Sequence, residues 1–132
     1  MFAVETRTVA GQVTALGSAG SFTLVVDRPA EAGGGGKGFN GGQLLYLAVA
    51  GCISNDLFRE APRFDVELDS VQVTVEGDFS GEPAVSEAIT YDVELSGSGD
   101  LGALVREVDR IAEIPNTLRQ GAPVSLRTIR IV

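Results

Sequence analysis

One cysteine, Cys52, and no histidine set the chemistry open to this chain. Without histidine there is no Ser-His-Asp or Cys-His nucleophile pair, and zinc sites of the usual Cys/His type go with them. No metal and no cofactor is called for. What remains is Cys52, the carboxylates, Arg and Lys, and the phenols Tyr46 and Tyr91. A thiol can act as a nucleophile or be oxidised through a sulfenic acid, but the thiolate is the reactive form, and it needs a nearby cation or helix N-terminus. Cys52 lies about three turns into the helix that must carry it, beyond the first turn where the helix dipole acts strongly. Asp56 follows four residues later on the same face, and its negative charge opposes a thiolate there. An activating cation must therefore come from Arg28, Lys37, Arg59 or a partner subunit. Arg28 is the preferred one, since it precedes a glycine-rich loop able to carry it over the sulfur. The alternative is that Cys52 is a small buried residue in a close-packed helix, and the residues alone leave both readings open.

The helix itself is read from Asn40 to Ala61, NGGQLLYLAVAGCISNDLFREA. Asn40 can cap it, and Gln43, at the third helical position, can reach back to the Asn40 backbone. From Leu44 to Ile53 the residues are apolar or small on every face, as in a helix buried all round. Ala48, Ala50, Gly51 and Cys52 let another backbone approach closely. The apolar run is too short for a membrane span, because Asn55, Asp56, Arg59 and Glu60 follow at once, and Pro62 prevents continuation. One small domain cannot cover every face of such a helix with its own sheet, so the second face is expected to meet another subunit in a homodimer.

Before this helix, Thr6–Leu16 and Ser21–Asp27 read as a hairpin turning at Gly17-Ser18-Ala19-Gly20. Glu31–Gly38, with four consecutive glycines from Gly33, reads as a flexible loop. Gly36-Lys37-Gly38 lacks the spaced glycines and the Ser or Thr of a P-loop. After the helix, Val66–Phe79 alternates with Val71, Val73 and Val75 on one face, and Ile89, Tyr91, Val93 and Leu95 supply an antiparallel partner. Asp100 can cap an amphipathic helix that buries Leu101, Leu104, Val105, Val108, Ile111 and Ala112. Pro115 is expected to stop it, with one further turn through Leu118, and Val124–Val132 to return as a last strand. The fold class is α+β, a mainly antiparallel sheet around a buried central helix, in a single domain over residues 1–132.

The balance of 10 basic and 18 acidic residues, net −8, argues against a nucleic-acid footprint and favours small neutral or apolar partners. Met1–Glu5 has neither the basic nor the apolar region of a secretory signal. One cysteine cannot form an intrachain disulfide, which suits a reducing, cytoplasmic setting.

Gly42-Gln43-Leu44-Leu45 through Ala50-Gly51-Cys52 resembles the Leu-rich helix, ending in Ala-Gly-Cys or Ala-Ala-Cys, of the OsmC/Ohr family. Thr23–Asp27 followed by a Gly-rich loop, and Asn116-Thr117-Leu118 after the second helix, are similar to that family too. The resemblance implies an intertwined homodimer and, in active members, thiol-dependent reduction of organic hydroperoxides with Cys52 as the peroxidatic residue. The family's second cysteine opens a segment like Cys-Pro-Val-x-Asn-Thr-Leu; here Ala112 stands in its place, so an external thiol would resolve the sulfenic acid. The family's Pro-Glu pair before the helix is Gly41-Gly42 here, and Gly17–Gly20 has none of the arginine expected in the first turn. Two readings follow. One is a one-cysteine, peroxiredoxin-type thiol peroxidase using Cys52 and Arg28. The other is a non-catalytic protein that holds a small apolar ligand in a dimer cleft walled by Leu44, Leu45 and Tyr46, with Lys37 at its loop.

Overall fold

The computed structural model describes all residues from Met1 to Val132. The chain forms two compact units, residues 1–47 and 48–132, and passes from one to the other within a single long helix.

In the first unit, β1 (Glu5–Thr8), β2 (Ala15–Ala19) and β3 (Phe22–Val26) form a three-stranded antiparallel sheet in that order. The hairpin expected from the sequence is thus two hairpins. Gly17, Ser18 and Ala19 are not a turn but the body of β2, pairing with Leu24, Thr23 and Phe22. The reversals fall instead near Gly11 and at Gly20, because strand pairing of Leu16 with both Arg7 and Val25 satisfies more backbone than a turn at Gly17 would.

The glycine-rich segment after β3 is ordered, against the expectation of a flexible loop. Phe39 is stitched back to β3: its N–H donates to the Val25 carbonyl at 3.0 Å and its carbonyl accepts from Asp27 N–H at 2.9 Å. Between these points Gly34 N–H donates to Pro29 O and Gly36 N–H to Arg28 O. A side chain at Gly34 would collide with the Arg28 carbonyl, and one at Gly38 with that of Val25, so glycine here serves close backbone approach rather than mobility.

The long helix α1 spans Gly41–Glu60. Its start is the expected capping box: Gln43 N–H donates to Asn40 Oδ1 at 2.9 Å, and Asn40 N–H donates to Gln43 Oε1 at 2.9 Å. It gives way to a 3₁₀ turn over Ala61–Phe64 containing Pro62. Within this chain the burial of α1 is one-sided. Val49, Ile53, Asp56, Leu57 and Glu60 are buried, while Leu47 and Phe58 are about half exposed (48% and 52%). No helix is long and apolar enough to cross a membrane.

In the second unit, β4 (Glu67–Glu76) pairs antiparallel with β7 (Thr90–Ser98), and a two-residue hairpin of β5 (Phe79–Ser80) and β6 (Val85–Ser86) lies between them in sequence. The register sets Val71 against Leu95, Val73 against Val93 and Val75 against Tyr91. Period-2 alternation thus names the correct face. α2 (Leu101–Ile111) is capped by Asp100, whose Oδ1 accepts from Ala103 N–H at 3.0 Å. It buries Leu104 and Val108 against Ile53, Leu57, Ala61 and Val66. α3 (Glu113–Gln120) is a full helix rather than one turn. Pro115 sits in its first turn, where a missing N–H leaves no bond unmade.

Two further expectations fail. The strands form three small sheets instead of one around the helix. Val124–Val132 is not a strand; Val124, Leu126, Ile129 and Ile131 are 73–97% exposed. A strand needs an edge to pair with, and this segment has no backbone partner within the chain.

Candidate functional site

Cys52 stands about three turns into α1, half-buried, on the side that packs against the core of the second unit. Its thiol donates to Asp56 Oδ2 at 3.8 Å. Asp56 is 6% exposed, and its other oxygen accepts from Arg59 Nη1 at 3.0 Å. Glu60, 7% exposed, is held by Arg63 at 2.9 Å and by Arg59 at 3.5 Å. The structure therefore brings together Cys52, Asp56, Arg59, Glu60 and Arg63. Both guanidinium groups lie at the surface and both carboxylates beneath them, so each buried charge is paired, as burial of a carboxylate requires.

The sequence places Asp56 on the face of Cys52 and offers Arg59 as a cation, but it does not show Asp56 and Glu60 buried beneath Arg59 and Arg63. The available signal was position. Asp56 and Glu60 follow Ile53 by three and seven residues, inside the same stripe that buries Val49, Ile53 and Leu57.

The other residues singled out from the sequence lie in the first unit. Leu44, Leu45 and Tyr46 are partly buried in the first turns of α1. Leu44 lines an apolar cavity of about 510 Å³ together with Val4, Phe22, Leu24 and Val26. Lys37 Nζ donates to Gln12 Oε1 at 3.0 Å, across the base of the glycine segment. Arg28 is exposed and its backbone is fixed: its N–H donates to Asp27 Oδ1 at 2.8 Å and its carbonyl accepts from Gly36.

Asp27 is what orders that segment. Buried at 5% exposure, its carboxylate accepts from Gly35 N–H (3.0 Å), Thr14 Oγ1 (2.9 Å), Arg28 N–H and Lys37 N–H (3.2 Å). The Gly35 N–H above all, then the Thr14 hydroxyl and the other two amides, hold the carboxyl below its ordinary value, against burial, which raises it. The folded state thus binds this proton less tightly than the unfolded chain. The contribution to stability is complete above the unfolded value near 3.9 and is lost as pH falls through the lower folded value. Asp27→Asn is expected to speed amide hydrogen exchange at Gly35 and Lys37 by at least about tenfold at neutral pH, since a charged acceptor is lost from both amides. It should also flatten the acid limb of the unfolding curve.

A second polar cluster ties β7, α2 and α3. Tyr91 donates its hydroxyl proton to Asp109 Oδ1, and Arg119 Nη2 donates to the same oxygen at 2.7 Å. Arg119 also donates to Asp109 O and to Asn116 Oδ1. Burial, then the Asp109 hydrogen bond and charge, push the Tyr91 phenol above its ordinary range. The hydrogen bonds from Tyr91 and Arg119 hold Asp109 low.

Ala112, where the resemblance places a second cysteine, is completely buried between α2 and α3 in the core that Cys52 packs against.

Sequence comparison with curated proteins finds no match. Solved structures share the fold at low identity. An OsmC-like protein from Mycoplasma pneumoniae superposes with a TM-score of 0.78 at 17% identity, over 90% of this chain and 87% of that one. An organic hydroperoxide resistance protein OsmC from Legionella pneumophila gives 0.66 at 20% identity, over 90% and 89%. An organic hydroperoxide resistance protein from Vibrio cholerae, with captopril bound in one of its active sites, gives 0.59 at 22% identity, over 90% and 85%. The model of the OsmC-like protein family matches residues 34–127. That span is well over half of the chain and holds α1 with Cys52, the β4–β7 pair, α2 and α3, so the protein belongs to the OsmC-like family.

Proposed function

We propose that the protein reduces organic hydroperoxides with Cys52 as the nucleophile, in defence against oxidative stress. The observation that carries this reading is the setting of the chain's one thiol. It is half-buried on α1, within the family-matched span, and hydrogen-bonded to a carboxylate that is itself paired with a guanidinium. Sulfur attacks the terminal peroxide oxygen, the O–O bond breaks, and the products are an alcohol and the Cys52 sulfenic acid. With Ala112 at the second-cysteine position, a thiol from outside the chain condenses with that acid, releasing water. A second thiol then releases Cys52 as the free thiol. The names of the Legionella and Vibrio structures support the substrate class. Arg28 remains the residue proposed to assist from the first unit, and Lys37, Leu44, Leu45 and Tyr46 those proposed to meet the substrate.

The test is intact mass after brief exposure to stoichiometric cumene hydroperoxide with dimedone present. A single, rapid adduct on Cys52 is expected. No adduct, together with slow alkylation by iodoacetamide, overturns the reading.

A second reading is favoured by the apolar cavity beside Leu44: a non-catalytic protein that binds a small apolar ligand. It calls for ligand-dependent thermal stabilisation without turnover. Both readings include a homodimer, supported by the exposed Leu47 and Phe58 on α1 and by the unpaired apolar segment Val124–Val132. A monomer mass by light scattering at micromolar concentration would remove it.

A further inference from the structure

We infer that Asp56 is the proton acceptor for Cys52, a role that rests on the hydroperoxide reading of the same thiol. Thiol reactivity requires the S–H proton to leave, and the chain has no histidine to take it. Asp56 Oδ2 accepts the thiol hydrogen bond at 3.8 Å, while Arg59 anchors the opposite oxygen at 3.0 Å. The carboxylate is therefore held with one oxygen towards sulfur. The other buried acid of the row, Glu60, is turned to Arg63 and Arg59.

Charge decides between the two things Asp56 can do. If it stayed ionised while Cys52 lost its proton to water, two negative charges would face and repel each other across less than 4 Å in a half-buried site. If the proton moves along the existing hydrogen bond, the pair keeps one negative charge throughout, with Arg59 beside Asp56 Oδ1. The step then closes. The S–H bond breaks and its proton passes to Asp56 Oδ2. Sulfur donates an electron pair to the terminal oxygen of an organic hydroperoxide, and an S–O bond forms as the O–O bond breaks. The departing alkoxide takes the proton from Asp56. The products are Cys52 sulfenic acid and the alcohol, with Asp56 again a carboxylate.

Asp56→Asn keeps the size of the side chain and removes the base. It is expected to slow both dimedone-trapped sulfenic acid formation by cumene hydroperoxide and alkylation by iodoacetamide at neutral pH by at least about tenfold, the lower end of what a positioned acid–base group contributes being about a hundredfold. Asp56→Ser, smaller and uncharged, gives the same reading should the Asn variant fail to fold, and circular dichroism checks both. Equal or faster reaction in a folded variant overturns the assignment, because the carboxylate then only repels the thiolate. The two outcomes separate this inference from the functional one. A wild-type protein that forms no sulfenic acid, yet alkylates faster than Asp56→Asn, sinks the hydroperoxide reading and keeps Asp56 as proton acceptor. A wild-type protein that forms the acid no faster than Asp56→Asn does the reverse.

Discussion

Cys52→Ser is expected to lower thiol-dependent consumption of cumene hydroperoxide to the rate of buffer alone, while leaving the fold intact. The loss should be complete because the reaction oxidises sulfur by two electrons, which a hydroxyl cannot supply. No second thiol exists to take over. The structural cost is small: the side chain is half-buried, and a serine hydroxyl can donate to Asp56 as the thiol does. A change of up to about 1 kcal/mol corresponds to a few degrees in Tm. Peroxide turnover followed by coupled thiol oxidation, with a thermal melt beside it, checks both halves. Unchanged turnover in this variant would place the chemistry elsewhere or nowhere.

Leu57→Ala should destabilise the protein by about 2–5 kcal/mol, the range for removing a fully buried leucine. Leu57 is 0% exposed and sits among Ile53, Ala61, Leu104, Val108 and Ala112. Two helices, a 3₁₀ turn and the inner face of β4 and β7 meet around it, so no single element can shift to fill the space. Against a typical total of about 5–15 kcal/mol this is a large share. Urea unfolding should show a lower midpoint with an unchanged slope. A loss below about 1 kcal/mol would mean that the core is looser than its burial implies. The change also moves the helix face one residue from Asp56, so thiol reactivity of the folded fraction reports whether the row above the core depends on that packing.

How much of this was legible beforehand follows from the range of each interaction. The start of α1 was readable in detail because a capping box joins residues three apart, Asn40 and Gln43, and needs nothing else. The Asp100 cap is of the same kind. The faces of β4 and β7 were readable because alternation is a property of each strand alone; only their register awaited the pairing. The resemblance to OsmC proteins pointed to the fold on a few short segments, and the family match bears it out.

The candidate site was half legible. Residue types alone single out Cys52, since it is the only thiol in a chain without histidine. That Asp56 and Glu60 would be buried was not, because a charged side chain takes a core position only if surface arginines reach over it, and Arg59 and Arg63 do so only once the helix is packed. The glycine segment misread as flexible is ordered by one carboxylate that reaches amides eight and ten residues away. The turn placed at Gly17 became a strand because two neighbours compete for its backbone. Val124–Val132 has every local feature of a strand and forms none, since a strand exists only by its partner. By itself, then, the sequence determined the caps, the strand faces and the presence of a single thiol, all properties of residues within a few positions of one another. Only the tertiary structure decided which charges are buried, which loop is hydrogen-bonded and which strand is paired, because each of these depends on groups far apart in the chain meeting in space.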